Sequence, residues 1–177
     1  HNQHALRIVE ELENPYLEFP GLNLSYETLE GQCYRANKQS VESCPSLEAQ
    51  VVDAADSIAY DSHDADDALE LGLLSIEQLL TVPMWRNSAD RVQSKMHTSN
   101  KTPLRRAVIH ELIDWQVKDL LQTSTEQIMQ RSTGCSNNIE TQKSMVLQSA
   151  ELQQQKTELE RFLFQHVYRH PDVVKIR

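Results

Sequence analysis

The chain of 177 residues carries 26 acidic and only 17 basic side chains, so its formal net charge is −9 at pH 7. A general nucleic-acid-binding protein presents a dominant basic stripe, and this charge balance argues against nucleic acid as a partner. Glycine is scarce, with 4 residues, whereas the helix-forming residues Leu, Gln, Glu and Ala are frequent, which predicts an all-α fold.

The first segment of the chain predicts two helices before residue 32. Apolar residues recur at helical spacing over 1–13, and Pro15 ends that pattern. Ser25 predicts the N-cap of a short second helix, and Gly31 predicts its end.

A longer third helix is predicted to start at Ser46, with Glu48 as a dipole-matching acid in its first turn. It runs to about Leu71, and Gly72 is its predicted C-cap. This helix contains the most informative segment of the sequence.

The next elements are bounded by prolines. A short helix over 75–80 is expected to end at Pro83, and residues 86–100 predict a loop or a fraying helix. Pro103 suits the first turn of the long amphipathic helix that follows.

The end of the sequence predicts a polar loop over 132–141 and a last helix over 142–169, which Pro171 ends. Strong helical patterns run up to both ends of the chain. The sequence therefore predicts a portion of a larger all-α domain.

The three cysteines, Cys33, Cys44 and Cys135, form no C-x-x-C pair. Their odd number argues against a disulfide framework and indicates a reducing compartment. No apolar run approaches the length of a membrane span, and no signal peptide is recognisable. We therefore expect a cytoplasmic protein that does not contact a membrane.

The third predicted helix carries an acidic face. At about 100° per residue, Tyr60 lies about 40° and Asp64 about 80° from Asp56. The apolar back is expected to contain Ala55 and Ile58. The polar front has six members: Asp53, Asp56, Tyr60, His63, Asp64 and Asp67.

This face has two interpretations. The simpler is a solvated helix surface, which is what most charge runs form. The other is a cation site, because acids at i, i+3 and i+4 repel one another and no basic residue on that helix offsets them. Tyr60 adds a flat ring with a hydroxyl, which suits a sugar or a base.

Three segments resemble a known family, namely HNQHALRIVEELENPYLEFPGLNLSYETLEG, PSLEAQVVDAADSIAYDSHDADDAL and LERFLFQHVYRHPDVV. They are similar to the HD-domain deoxynucleotide triphosphohydrolases, specifically the bacterial dGTPase-like proteins. The resemblance implies an HD-domain-like helical bundle, of which residues 1–177 form the later part as a single domain. It also implies hydrolysis of a dNTP to a deoxynucleoside and triphosphate, a divalent metal such as Mg²⁺ or Mn²⁺, and a homo-oligomer.

The same resemblance implies roles for four residues. Asp56 would be the last of the metal ligands, Tyr60 would contact the sugar and base, and Asp64 would accept a hydrogen bond from the sugar 3′-hydroxyl. His1 matches the histidine of the family's E-H-N run, so it would lie near the phosphates and assist the chemistry.

The chain departs from the family pattern at the metal site. The family's first His and its His-Asp pair precede the E-H-N run, and the only H-D dipeptide here is His63-Asp64. Three of the four implied metal ligands are therefore absent, and we expect these residues alone to be inactive. The alternative hypothesis is a non-catalytic nucleotide-sensing or subunit-interaction module on the same helical scaffold.

Overall fold

The computed structural model describes residues 2–36, 45–95, 101–133 and 144–175, and the regular structure within these ranges is entirely helical. The predicted all-α fold is thereby confirmed. Within the same ranges, no helix is both long enough and apolar enough to cross a membrane.

The described ranges contain eight α-helices, and two of them continue into five-residue π-helical turns. The α-helices are α1 (Asn2–Arg7), α2 (Tyr26–Ala36), α3 (Leu47–Glu70), α4 (Ile76–Leu79), α5 (Pro83–Lys95), α6 (Lys101–Thr133), α7 (Ala150–Leu163) and α8 (Pro171–Val174). The π-helical turns are Ile8–Leu12 after α1 and Phe164–Tyr168 after α7.

Helix α3 begins and ends where its caps predict. Ser46 Oγ accepts a hydrogen bond from Ala49 N at 3.3 Å, which satisfies one of the unpaired N–H groups of the first turn. Gly72 has φ +68°, the left-handed conformation that commonly ends a helix. Leu73 N then donates to Ala68 O at 2.9 Å, so the last turn is also satisfied.

The prediction that Gly31 ends α2 is wrong, because α2 continues to Ala36. A side chain at Gly31 would place its Cβ 3.1 Å from the Cβ of Ala49 on α3. Glycine is therefore used here for the close approach of two helices and not as a C-cap.

Two further boundaries also differ from the prediction. Pro83 begins α5 and does not only end the preceding helix, since a proline in a first turn removes an N–H that has no helical partner. The last long helix starts at Ala150, where Ser149 Oγ caps it, and not at 142. Most of the predicted loop, and Cys44 and Cys135, lie outside the described residues.

The chain divides into two compact units. The first contains the described residues of His1–Ala54 and Gln127–Val146, and the second those of Ala55–Glu126 and Leu147–Arg177. The expectation of one domain over 1–177 stays a prediction.

In the first unit, α1 packs against α2, and the buried side chain of Gln50 organises the start of α3. Its Oε1 accepts hydrogen bonds from Ser144 Oγ at 2.9 Å, from Met145 N at 2.8 Å and from Val146 N at 3.2 Å. Its Nε2 donates to Pro45 O at 2.8 Å. One amide therefore satisfies several groups that would otherwise be costly to bury.

The second unit has a continuous apolar core contributed by α3 to α7 and the π-helical turn that follows α7. Trp85 lies in it, and Trp115 packs at its edge with the Arg91 guanidinium 3.8 Å from the ring centroid. The most deeply buried side chains include Leu79, Met84, Leu112, Leu159 and Leu163. This core holds α3 and α7 in fixed positions.

Replacing Gly21 by Ala should destabilise the first unit far more than Gly72→Ala destabilises the second. Gly21 has φ +78°, and an added Cβ would lie 2.5 Å from Glu10 O and 2.6 Å from Val9 O. Gly72 has φ +68° and nothing within 4 Å of that position. We expect a loss of about 1 kcal/mol for Gly72→Ala from the backbone alone.

For Gly21→Ala we expect a further loss of about 1–3 kcal/mol, because backbone carbonyls must move. Urea unfolding of both variants, with amide hydrogen exchange to locate the loss, measures the difference. Equal losses at the two glycines would contradict the steric argument.

Candidate nucleotide and metal site on α3

The second-unit part of α3 has a buried side and an exposed side. Ile58, Ser62, Ala65 and Ala68 are almost completely buried. Asp56, Tyr60, His63 and Asp67 are exposed, and Asp64 is half-buried. The predicted polar front is confirmed for these residues, whereas Ala55, expected on the apolar back, is exposed.

Several acids of α3 are paired with cations from other helices, which the sequence did not reveal. In the first unit, Arg35 Nε lies 3.7 Å from Asp53 Oδ1. In the second unit, Arg105 lies 2.7 Å from Asp66 and 3.0 Å from Glu70. Repulsion along α3 is therefore offset by long-range ion pairs, and it does not by itself require a bound cation.

Asp64 accepts a hydrogen bond from the hydroxyl of Tyr168, which lies in the π-helical turn Phe164–Tyr168. Burial raises the pKa of the Tyr168 hydroxyl, and the hydrogen bond to Asp64 and the neighbouring Tyr60 raise it further. Tyr168 is thus a neutral donor at physiological pH, and it fixes the carboxylate of Asp64.

Three aromatic rings gather beside this hydrogen bond. The ring centroids of Tyr60 and Tyr168 are 6.2 Å apart with an interplanar angle of 43°. Phe164 meets Tyr168 edge-on at 6.4 Å, and the Arg169 guanidinium lies 4.7 Å from the Phe164 ring centroid. Tyr60 remains 56% exposed, so a flat ligand has access to its ring.

A cavity of about 450 Å³ lies between this part of α3 and α7. Its lining residues are Ser57, Tyr60, Asp61, Thr157, Glu160, Arg161, Phe164 and Tyr168. The wall thus combines aromatic rings, hydroxyl groups and charged groups, so it offers both stacking and hydrogen-bonding contacts.

Beneath the cavity, Asp61 forms a buried ion pair with Lys156 of α7. The two side chains are only 4% and 11% exposed. Lys156 Nζ also donates to Ser57 O at 3.2 Å, and it lies 3.4 Å from Glu160 Oε1. Burial raises the pKa of Asp61, and the Lys156 ammonium opposes that rise.

The ion pair was missed at the sequence level, although a pattern for it exists. Lys156 interrupts the apolar seam formed by Leu152, Leu159 and Leu163 on α7. A cation at a core position needs an acid at a core position elsewhere. Asp61, on the apolar side of α3, is that acid.

The predicted site residues are only partly brought together. Asp64 and Tyr60 both lie beside Tyr168, while Asp56 stands one turn before Tyr60 on the exposed side of α3. His1 lies outside the described residues. Among the described residues, no three His, Cys, Asp or Glu side chains are grouped to hold a metal ion. The residues present therefore supply one candidate ligand, not a complete set.

Comparison with known proteins identifies several proteins of similar sequence. No protein-family model matches it. It is 32% identical over 188 residues to the deoxyguanosinetriphosphate triphosphohydrolase-like protein of Thiobacillus denitrificans, which covers 99% of this chain and 50% of that protein. Proteins of the same description from Deinococcus deserti and Geobacter sulfurreducens are 37% and 34% identical over 96% and 100% of this chain.

The matched region covers 44% of the Deinococcus protein and 49% of the Geobacter protein. The chain thus spans about half the length of the curated relatives it matches. The similarity extends over nearly all of this chain, so it includes α3, α7 and the cavity between them.

Replacing Lys156 by Met should remove about 3–5 kcal/mol of stability at pH 7, because Asp61 is left buried without its cation. A carboxyl whose pKa is raised on folding binds protons more tightly in the folded state, so its contribution to stability falls as pH rises above about 4. Replacing Lys156 removes the cation that opposes the rise in the pKa of Asp61. The contribution of Asp61 to stability therefore falls further as the pH rises. The deficit of the variant should therefore be smallest near pH 4 and grow toward pH 8.

Urea unfolding between pH 4 and pH 8 measures this dependence. The double variant Asp61→Asn, Lys156→Met should regain most of the lost stability and lose the added pH dependence. Lys118→Met is the matched control, because Lys118 pairs with Asp114 at an exposed position. A deficit of Lys156→Met that is the same at every pH would contradict this account of Asp61.

Proposed function

Since this chain belongs to the family of deoxyguanosinetriphosphate triphosphohydrolase-like proteins, we propose that it forms the nucleoside-binding part of a dNTP triphosphohydrolase. The observation that carries the proposal is the cluster of Tyr60, Asp64 and Tyr168 beside the cavity between α3 and α7. Tyr60 and Asp64 stand on α3, the helix to which the family resemblance assigns the deoxyribose, and Tyr168 reaches them from the π-helical turn after α7.

In this proposal, Asp64 accepts a hydrogen bond from the 3′-hydroxyl of the deoxyribose. An ionised carboxylate has several acceptor positions, and Tyr168 holds the group in a fixed orientation. A hydrogen bond to a charged acceptor contributes about 1.5–3 kcal/mol. Tyr60 presents its exposed ring to the sugar and base, where stacking contributes about 1–3 kcal/mol per base.

We propose that Asp56 contributes one ligand to a divalent metal ion. One carboxylate does not bind such an ion strongly, because Mg²⁺ and Mn²⁺ need several oxygen or nitrogen ligands in a fixed geometry. The donor set among the described residues does not complete a site. The missing ligands would be the histidines and aspartate that the family resemblance places before His1, and His1 itself would act near the phosphates.

A second candidate function is a non-catalytic nucleotide-sensing or subunit-interaction module. What supports it is the contrast between the cavity beside Tyr60 and the incomplete set of metal ligands in the described residues. The triphosphohydrolase and the nucleotide-sensing module share nucleoside binding and differ in whether triphosphate is released, whereas a subunit-interaction module requires no nucleoside. A homo-oligomer, a cytoplasmic location and the absence of nucleic acid as a partner stay predictions under both.

Nucleoside binding is tested with Asp64→Asn and Tyr60→Ala. We expect each variant to bind deoxyguanosine about tenfold more weakly, because a tenfold change corresponds to about 1.4 kcal/mol and each contact contributes at least that much. Asp67→Asn is the matched control, since Asp67 is an exposed acid further along the same helix face. NMR titration or calorimetry measures the affinities.

An equal effect of Asp67→Asn would show that only the charge of the helix matters. If Tyr60→Ala lost as much free energy of unfolding as free energy of binding, the weaker binding would be explained by damage to the fold. That result would also argue against a stacking contact.

Hydrolysis is tested with dGTP and Mn²⁺. We expect no metal-dependent release of triphosphate from these 177 residues alone, because Asp56 cannot hold the ion without further ligands. The full-length Thiobacillus denitrificans relative should be assayed in parallel under the same conditions. Triphosphate release that required Mn²⁺ and disappeared in Asp56→Asn would overturn the expected inactivity.

A further inference from the structure

The ammonium group of Lys156 holds one particular turn of α3. It donates to Asp61 Oδ2 and to Ser57 O, and these two residues are four positions apart on the helix. Ser57 directly follows Asp56, and Asp61 directly follows Tyr60. Lys156 therefore fixes the turn that presents both of these proposed site residues.

A second link from the same chain segment holds the next turn, because Tyr168 donates to Asp64. Lys156 and Tyr168 are 12 positions apart, on α7 and on the π-helical turn that follows it, whereas their partners Asp61 and Asp64 are three positions apart on α3. Two separate points of α7 and its continuation therefore contact consecutive turns of α3.

The α7 side of the cavity lies between these two links. The lining residues that fall between positions 156 and 168 are Thr157, Glu160, Arg161 and Phe164. The α3 side is lined by Ser57, Tyr60 and Asp61. Asp61 of the ion pair and Tyr168 of the tyrosine hydrogen bond thus both line one cavity.

We propose that the Asp61–Lys156 ion pair is a positioning element that sets the width of the cavity and keeps the Tyr60 ring facing Tyr168. This inference rests on the proposed nucleoside-binding function of that cavity. It assigns to Lys156 a task that touches no substrate, because its partners are groups of the protein itself.

The chemistry of Lys156 supports a positioning task. An ammonium has three donors and no acceptor, and three oxygen atoms surround it, from Asp61, Ser57 and Glu160. Two of the donors are used by Asp61 and Ser57, and the Glu160 carboxylate forms an ion pair with the same ammonium, so its described partners are groups of the protein itself. Apolar residues of similar volume would often stabilise such a seam as well as a buried ion pair does. The ion pair adds specificity of alignment, since its hydrogen bonds fix one register of α7 against α3.

The test separates position from stability with four variants: Lys156→Arg, Lys156→Met, the double variant Asp61→Asn, Lys156→Met, and the control Lys118→Met. Three quantities are measured for each. They are the ring-to-ring nuclear Overhauser effects between Tyr60 and Tyr168, the affinity for deoxyguanosine, and the urea midpoint of unfolding.

We expect Lys156→Met to lose the ring-to-ring effects and to bind deoxyguanosine at least tenfold more weakly. Lys156→Arg keeps a cation and should stay within threefold of the unmodified chain. The double variant is the decisive one, because its unfolding midpoint should return while its affinity and ring contacts stay reduced. Lys118→Met should change none of the three.

Recovery of ring contacts and affinity together with stability in the double variant would overturn the proposal, since the pair would then be a replaceable structural contact. Intact ring contacts in Lys156→Met would overturn it as well. If the ring contacts follow Lys156 but the unmodified chain binds no deoxyguanosine, the positioning of the cavity is supported and the proposed nucleoside-binding function fails.

Discussion

The arrangement of the second unit depends on one buried charge, the ammonium of Lys156 in the apolar seam of α7. Removing an ion from water costs several kcal/mol even after the protein relaxes. That cost is tolerable only where an oppositely charged partner is held in place, which requires Asp61 of α3 to face α7. The apolar core holds the two helices together, and this requirement adds that Asp61 and Lys156 must lie opposite each other.

The acidic character of α3 has consequences for any anionic ligand. Asp56, Asp64 and Asp67 lie on the accessible side of the helix, so the negative groups of a triphosphate are repelled along it unless a cation intervenes. The sugar and base are not repelled, because they are neutral hydrogen-bonding and stacking groups. Under the proposed function, electrostatics favours a nucleoside end facing Tyr60 and Asp64, with the phosphates directed to where a cation could be bound.

Local features of the fold could be predicted from the sequence, and long-range features could not. The ends of α3 are fixed by Ser46 and Gly72, whose capping contacts involve residues within a few positions. The same holds for α4, where Ser75 and Gln78 form a reciprocal capping box. Such contacts are determined by neighbours in sequence, so they can be recognised without the tertiary structure.

The features that could not be predicted from the sequence depend on contacts between residues that are far apart in the chain. Glycine is common at the ends of helices, so Gly31 predicts a helix end. It lies inside α2 instead, where the close approach of Ala49 explains the lack of a side chain. The Asp61–Lys156 pair joins residues that are 95 positions apart. Asp61 shares the buried side of α3 with Ile58 and Ala65, but no residue near it in the sequence identifies Lys156 as its partner. Within the candidate site, the sequence could therefore provide the face that carries Tyr60 and Asp64, but not the side chains of α7 that orient it.

The hydrogen bond from Tyr168 could either prevent a ligand from binding to Asp64 or hold Asp64 in the orientation that a ligand needs. A carboxylate carries two oxygens with about four acceptor positions, and the Tyr168 hydroxyl occupies one of them on Oδ2. A ligand hydroxyl can therefore approach the other oxygen without displacing the tyrosine. Burial raises the pKa of Tyr168 above its ordinary value, so its hydroxyl remains a donor at physiological pH. An acceptor already fixed in this way loses little side-chain freedom when a ligand arrives, and preorganisation of that kind increases affinity. The hydrogen bond is thus better understood as support for Asp64 than as competition for it.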